Sequence, residues 1–201
     1  MLNFVAIDIE TTGFSLETCE IIELGGLKYK NGQPIDTFSM YVKPQKYVPL
    51  QISKITGITM ETLSMADGPE VCIPKFVEFC EDLPLLGHNL KFDYDFIKKY
   101  SSQYDFDFTL GNSRQGIDTL ELCRKYLTLK SNTLEHVCKF LQLNDESGTF
   151  HSAYYDALMT SKIYVYLSTN YPNVKLISTP HNLEDVKVKG KAQQMGSLPL
   201  F

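Results

Sequence analysis

The chain has 201 residues, of which 43% are apolar and 21% charged. These are ordinary globular proportions, and they exclude a fibrous or wholly disordered protein and favour one domain. With 19 Lys and Arg against 24 Asp and Glu the net charge is −5, which excludes a protein that grips nucleic acid by bulk positive charge.

Residues 4–9 (FVAIDI) are a near-continuous apolar run, the pattern of a buried strand. Residues 21–29 make a second strand, Asn31-Gly32 a hairpin turn, and residues 36–42 a third strand stopped by Pro44. The chain thus opens with an antiparallel three-strand meander. Residues 49–63 read as short helical turns around Gly57. Ile73, Phe76, Val77 and Cys80 have helical spacing, which predicts a helix over 70–82 with Pro74 tolerable only in its first turn. Leu85-Leu86 is a short buried strand ending at Gly87, and residues 92–100 begin another helix. Ile117-Asp118 reads as a brief strand before a helix over 119–127. Asn132 or Thr133 can cap a helix whose apolar face is Leu134, Val137, Cys138 and Leu141. Ser152 can cap the last helix, running to about residue 168. Strands alternating with helices after the meander predict an α/β fold, a mixed sheet flanked by helices. Beyond Tyr171-Pro172 the periodicity fades, so residues 1–172 are expected to fold as the domain and 173–201 to extend as a tail.

Cys19, Cys72, Cys80, Cys123 and Cys138 form no CxxC pair, which suits reduced thiols in the cytoplasm. The opening MLNFVAIDIE lacks the basic front of a signal peptide. No apolar run approaches the roughly 18 residues of a membrane span, so no membrane partner is expected.

Three segments carry chemistry. Asp8 and Glu10, two apart on a strand, point to the same face, and burying two like charges there is costly unless something compensates. An exposed acidic strand end is the alternative. The following Thr11-Thr12-Gly13 allows a tight turn at which a ligand can approach the backbone. His88-Asn89-Leu90-Lys91-Phe92-Asp93 follows a short strand and leads into a helix, a usual place for site residues in α/β folds. Asp93 can cap that helix or ligate a metal, and Asp95 faces elsewhere. His151 precedes the last helix and Asp156 lies one turn into it, with Ala153 and Ala157 allowing close packing. A surface His near an acid is the alternative there. If the segments converge, Asp8, Glu10, Asp93 and Asp156 are four carboxylates that demand cations. All-oxygen ligands suit Mg²⁺ or Mn²⁺. His151 is then the candidate base that is not a ligand. This is the part list of two-metal phosphodiester hydrolysis.

FVAIDIETTG, HNLKFD and HSAYYDA, with its H-x4-D spacing, resemble in order and context the three motifs of the DEDDh exonucleases. That family includes the proofreading epsilon subunit of bacterial DNA polymerase III. DTLELCRKYL and NTLEHVCKFLQL look like its intervening segments, and the resemblance covers roughly residues 1–170. It implies a ribonuclease H-like fold and 3′-5′ exonuclease activity in proofreading or repair, releasing 5′-nucleotides from single-stranded DNA 3′ ends. It implies that Asp8, Glu10 and Asp156 hold a pair of Mg²⁺ or Mn²⁺ ions, that Asp93 completes the second ion's site, and that His151 deprotonates the attacking water. Thr11, Thr12, Gly13 and Phe14 would cradle the terminal nucleotide, with His88, Asn89 and Phe92 lining the pocket. Thr56 departs from the pattern, since many relatives carry His before this Gly. An RNA-trimming member of the same family shares these motifs, and a noncatalytic strand- and clamp-binding adaptor is the reading from another class.

The terminus Ser197-Leu198-Pro199-Leu200-Phe201 resembles the Leu-x-Leu-Phe peptides by which bacterial polymerase proteins dock on the sliding clamp, with Leu198, Leu200 and Phe201 as contacts. The resemblance adds a DNA polymerase catalytic subunit as a partner and the bacterial cytoplasm as the location. Residues 1–172 carry 15 basic and 22 acidic residues, and 173–201 carry four Lys against two acids. Four of the acids are the proposed ligands, so two divalent ions would cancel much of the local charge that opposes a phosphate.

Overall fold

The computed structural model describes residues 2–104, 116–143, 148–171 and 173–174. Three strands come first: β1 (Phe4–Thr11), β2 (Ile21–Lys30) and β3 (Gln33–Tyr41). The helices α1 (Leu50–Thr56), α2 (Met60–Leu63) and α3 (Pro69–Cys80) follow. Then come β4 (Leu85–Gly87), α4 (Leu90–Gln103), β5 (Gly116–Asp118), α5 (Thr119–Tyr126), α6 (Leu134–Leu141) and α7 (Ala153–Asn170). The five strands form one mixed sheet in the order β3-β2-β1-β4-β5. The meander is antiparallel, and β4 and β5 add in parallel. The α/β expectation, the meander and the hairpin at Asn31-Gly32 are all present.

β1 is buried along its whole length because it packs on both faces. Val5, Ile7 and Ile9 join Phe76, Phe79, Phe96 and Ile97 in one core, against α3 and α4. Phe4 and Ala6 join Leu27, Tyr29, Cys138, Ala157 and Ile163 in a second core, against α5, α6 and α7. A strand buried on both faces reads as a continuous apolar run rather than an alternation. Each such fully buried aliphatic or aromatic side chain contributes roughly 1.5–3 kcal/mol. Positions 4, 6, 8 and 10 therefore share the α7 face, with apolar residues at the first two and carboxylates at the last two.

Three local expectations are corrected. Pro74 lies inside α3, in its second turn rather than its first. Lacking an N–H, it cannot bond the Glu70 carbonyl, and the buried Ile73, Phe76 and Phe79 hold the helix around it. Ser152 stands at the N-cap position of α7 but makes no side-chain cap bond. Of the two candidate caps for α6, Thr133 fills the role, its hydroxyl accepting from His136 N–H. Asp93 does not cap α4, because Asn89 takes that position. The packing also continues past 172, since Val174 is fully buried in the second core. Leu198, Leu200 and Phe201 lie outside the described residues. No described helix is long and apolar enough to cross a membrane.

Candidate active site

A cavity of about 260 Å³ opens beside the C-terminal end of β1. Asp8, Glu10, Thr11, Gly13 and Phe14 line it from β1 and the turn that follows, His88 from the end of β4, and His151 and Asp156 from the start of α7. Ligand atoms of Glu10, His151 and Asp156 all lie within 4.8 Å of one another. Residues 141 positions apart in sequence are brought together because α7 lies directly on β2. A Cβ on Gly25, the β2 partner of Asp8, would sit 2.1 Å from the Ala153 carbonyl carbon. Only glycine permits that approach.

His151 has φ 68, a left-handed conformation costly for a residue with a Cβ. Its N–H donates to Asp156 Oδ2 at 3.4 Å, which ties the loop residue to the helix. Glu23 fills the capping role that Ser152 leaves. Its Oε2 accepts from Ala153 N–H at 3.0 Å, and the Ser152 hydroxyl also bonds it. Glu23 is 4% exposed. Burial pushes its carboxyl above the ordinary range, against the pull of those two hydrogen bonds.

Asp93 is fully buried, and it does not line the cavity. Its Oδ1 accepts from Ile9 N–H at 3.1 Å. β1 pairs with β4 only at Val5 and Ala6, and β4 ends at Gly87. The Ile9 N–H therefore lies beyond the end of that ladder, and α4 supplies the acceptor. The carboxylate is held beside the strand segment that carries Asp8 and Glu10. Asp95 pairs with Lys91 one turn away, as its position on the helix predicts.

His88 Nε2 donates to the Asn132 carbonyl at 2.8 Å, and Nδ1 lies 2.9 Å from Thr119 Oγ1. Both ring nitrogens are thus engaged with the protein, leaving the ring surface for the cavity. Asn89 adopts φ 74, and its N–H donates to Asp118 Oδ1 at 3.0 Å. Asp118 also accepts from Leu90 N–H at 3.2 Å and from Leu120 N–H at 2.9 Å, so one carboxylate caps the starts of α4 and α5. Burial raises its pKa more than these bonds lower it. Thr12 is off the cavity wall, with its hydroxyl accepting from Glu20 N–H at 2.9 Å. Asn89 and Phe92 are off it too. Phe92 backs Phe14 edge-on at 6.4 Å between ring centres, and Phe14 is 40% exposed.

The remaining wall was not assigned to the site from the sequence: Ile52 and Ile55 of α1, Thr133 at the N-cap of α6, Leu134 and Glu135 of α6, and Phe150. Thr56 is also in the wall, but its hydroxyl donates to the Ile52 carbonyl and accepts from Ile58 N–H. Glu23 and Gly25 were missed as well. Their signals were an acid inside an apolar strand and a Gly-Gly pair where β-branched residues are expected. Asp118 carried a start-of-helix signal, although nothing local shows that it serves two helices.

Residues 5–164 match the profile of the RNase_T family, described as exonuclease. The chain belongs to this exonuclease family. Among curated relatives, the DNA polymerase III PolC-type protein of Thermotoga maritima is 36% identical over 165 residues, 81% of this chain. The chain spans only 12% of that relative's length. The DNA polymerase III subunit epsilon of Aquifex aeolicus is 34% identical over 164 residues, 81% of this chain and 79% of the relative. Among solved structures, a zinc-bound E. coli exonuclease I in complex with single-stranded DNA superposes with a TM-score of 0.76 at 19% identity, over 87% of this chain and 42% of the other. That likeness concerns the fold, and the ribonuclease H-like sheet expected from the motifs is present in this exonuclease-family domain.

Proposed function

We propose that this exonuclease-family domain hydrolyses single-stranded DNA from its 3′ end to 5′-nucleotides, in proofreading or repair. The observation that carries this reading is the convergence of Asp8, Glu10, Asp156 and His151 on one cavity. The donor set fits a hard divalent cation: carboxylate oxygens from Glu10 and Asp156 approach within 4.8 Å, with Asp8 in the same wall. Oxygen donors of this kind suit Mg²⁺ or Mn²⁺. Asp8, Glu10 and Asp156 would hold a pair of ions, and Asp93 would complete the second ion's site. When bound, such ions supply Lewis acidity to the attacking water and the leaving oxygen.

The chain's own residues do the rest. His151, in its neutral form, takes the proton of the water whose oxygen attacks phosphorus. The P–O3′ bond breaks, and the 3′ oxygen stays with the shortened strand. Thr11, Gly13 and Phe14 cradle the terminal nucleotide, and the exposed Phe14 ring offers a stacking face. Phe92 buttresses it, Thr12 and Asn89 hold the loops, and His88 presents its ring surface. Ile52, Ile55 and Phe150 add apolar wall for a base. The zinc and single-stranded DNA named for the exonuclease I neighbour support a divalent cation, though not its identity as Mg²⁺ or Mn²⁺, and the substrate class.

In an assay on a 3′-labelled oligonucleotide, Asp8→Ala is expected to abolish metal-dependent hydrolysis, and retained full activity would sink the assignment. Activity should rise with pH as His151 loses its proton, whereas a flat profile would argue against it as base. Paired DNA and RNA oligonucleotides, each with Mg²⁺ and with chelator, separate this reading from RNA trimming and from a noncatalytic adaptor.

The relatives named as polymerase III proteins support a DNA polymerase catalytic subunit as partner, and with it the bacterial cytoplasm as location. Leu198, Leu200 and Phe201 are the proposed sliding-clamp contacts, on a tail that follows a catalytic domain over residues 1–172. Deleting the last five residues should abolish clamp capture in a pull-down and spare hydrolysis. Capture unchanged by the deletion would refute the peptide's role.

A further inference from the structure

Glu23 has no place in the chemistry above, yet it is a buried carboxylate within the site's framework. Three observations bear on it. Its Oε2 accepts from Ala153 N–H, the first residue of α7, at 3.0 Å across 130 positions of sequence. In the β1–β2 ladder Glu23 is the direct partner of Glu10, so the two side chains share a face. Two residues along the same face of β2, Gly25 leaves just enough room for the Ala153 backbone.

We propose that Glu23 is a positioning residue that sets the spacing between Glu10 on β1 and the His151–Asp156 pair on α7, and so tunes the affinity of the metal site. This rests on the reading that Glu10 and Asp156 hold the ions. Ser152, the residue at the N-cap position, makes no side-chain cap bond to its own helix. The helix start is instead pinned to the strand beside the one that carries Glu10. An anchor inside α7 would orient the helix but not its distance from β1. An anchor on β2, in register with Glu10, sets both. A carboxylate is also suited to the positive end of the helix.

Mn²⁺ binding to the full chain, measured by titration calorimetry or by loss of the free-ion electron paramagnetic resonance signal, tests this without recourse to catalysis. Glu23→Ala should weaken Mn²⁺ binding by roughly tenfold to a hundredfold, the range seen when the outer groups that orient metal ligands are lost. KM for the oligonucleotide at saturating metal should be unchanged, because Glu23 does not line the cavity. Glu23→Gln keeps an acceptor oxygen at the same reach and should restore binding to within a few-fold. Glu23→Asp is shorter by one methylene and should fall with Ala. If Glu23→Ala does not fold, the Asp and Gln variants decide the matter. Mn²⁺ affinity unchanged in a folded Ala or Asp variant overturns the proposal, as does a Gln variant as weak as Ala. Failure of the wild-type chain to bind Mn²⁺ would instead overturn the metal-site reading itself.

Discussion

At the scale of single residues, burial decides which titratable groups are poised and which are inert. Cys123 and Cys138 are pushed up to about 12 and Cys72 to about 11, each chiefly by burial. The thiolate is the reactive form. Cys80 is also fully buried, and Cys19 is half-buried at the edge of the 13–19 loop. A disulfide-exchange reagent at pH 8 should therefore modify one thiol rapidly in the native protein and all five after denaturation. Rapid native reaction of three or more would contradict the packing of α3, α5 and α6. Asp118 offers a second test. Its folded pKa lies above its unfolded one because burial outweighs the hydrogen bonds from Asn89 and Leu120. Its contribution to stability is thus fully present below the ordinary aspartate range and is lost as pH rises through the raised folded value. The stability of wild type relative to Asp118→Asn should fall with rising pH across that window in parallel urea titrations. A difference that grows with pH would mean the three donated hydrogen bonds outweigh burial.

At the scale of elements, the site depends on how closely α7 meets β2. Gly25 and Gly26 point to opposite faces of β2. A Cβ on Gly25 would strike the α7 backbone, and one on Gly26 would lie 2.7 Å from the Phe79 ring of α3. A ring can move aside more readily than a helix backbone. Gly25→Ala should therefore cost more than Gly26→Ala, roughly 1–3 kcal/mol or more for the overpacked backbone. For a chain of this size that is a drop in Tm of roughly 2–12 °C by calorimetry. Equal Tm values for the two variants would show that α7 can lift without loss. The motifs on β1 and α7 were legible in the sequence because Asp8-Ile9-Glu10 and His151 to Asp156 are local patterns with a period. The partners that hold them were not legible. Glu23 to Ala153 and Asp93 to Ile9 join residues 130 and 84 positions apart, and no periodicity encodes such distances. The error at Pro74 has a related cause. A helix-interior proline is penalised locally, whereas Ile73, Phe76 and Phe79 stabilise α3 through burial in the core it shares with β1.

At the scale of the whole molecule, the net charge of −5 bears on how substrate is held. A chain of net negative charge offers a strand no bulk attraction, so its grip should depend weakly on salt. With about two phosphate contacts on a single strand, KM should rise no more than about tenfold between 50 and 200 mM salt. A rise of a hundredfold or more would reveal a basic track. Lys28, the most buried cation of β2, contributes nothing to such a track. It is 5% exposed and bonds Glu81 at 2.8 Å beneath α3, on the face of the sheet opposite the cavity.

The sequence by itself determined the order of the meander, the short parallel strands, the family and the three motifs from which the site is proposed. Each of these is written in neighbouring residues: alternation, turn dipeptides and three compact motifs. Only the tertiary structure decided that Asp8 and Glu10 continue a face whose earlier members are core. It also placed Glu23 and Gly25 of β2 as the seat of α7, gave Asp118 two helices to cap, and built the apolar wall from α1 and α6. These are matters of close approach and of unpaired backbone groups finding acceptors, and they exist only once the sheet has brought distant segments within a few ångströms.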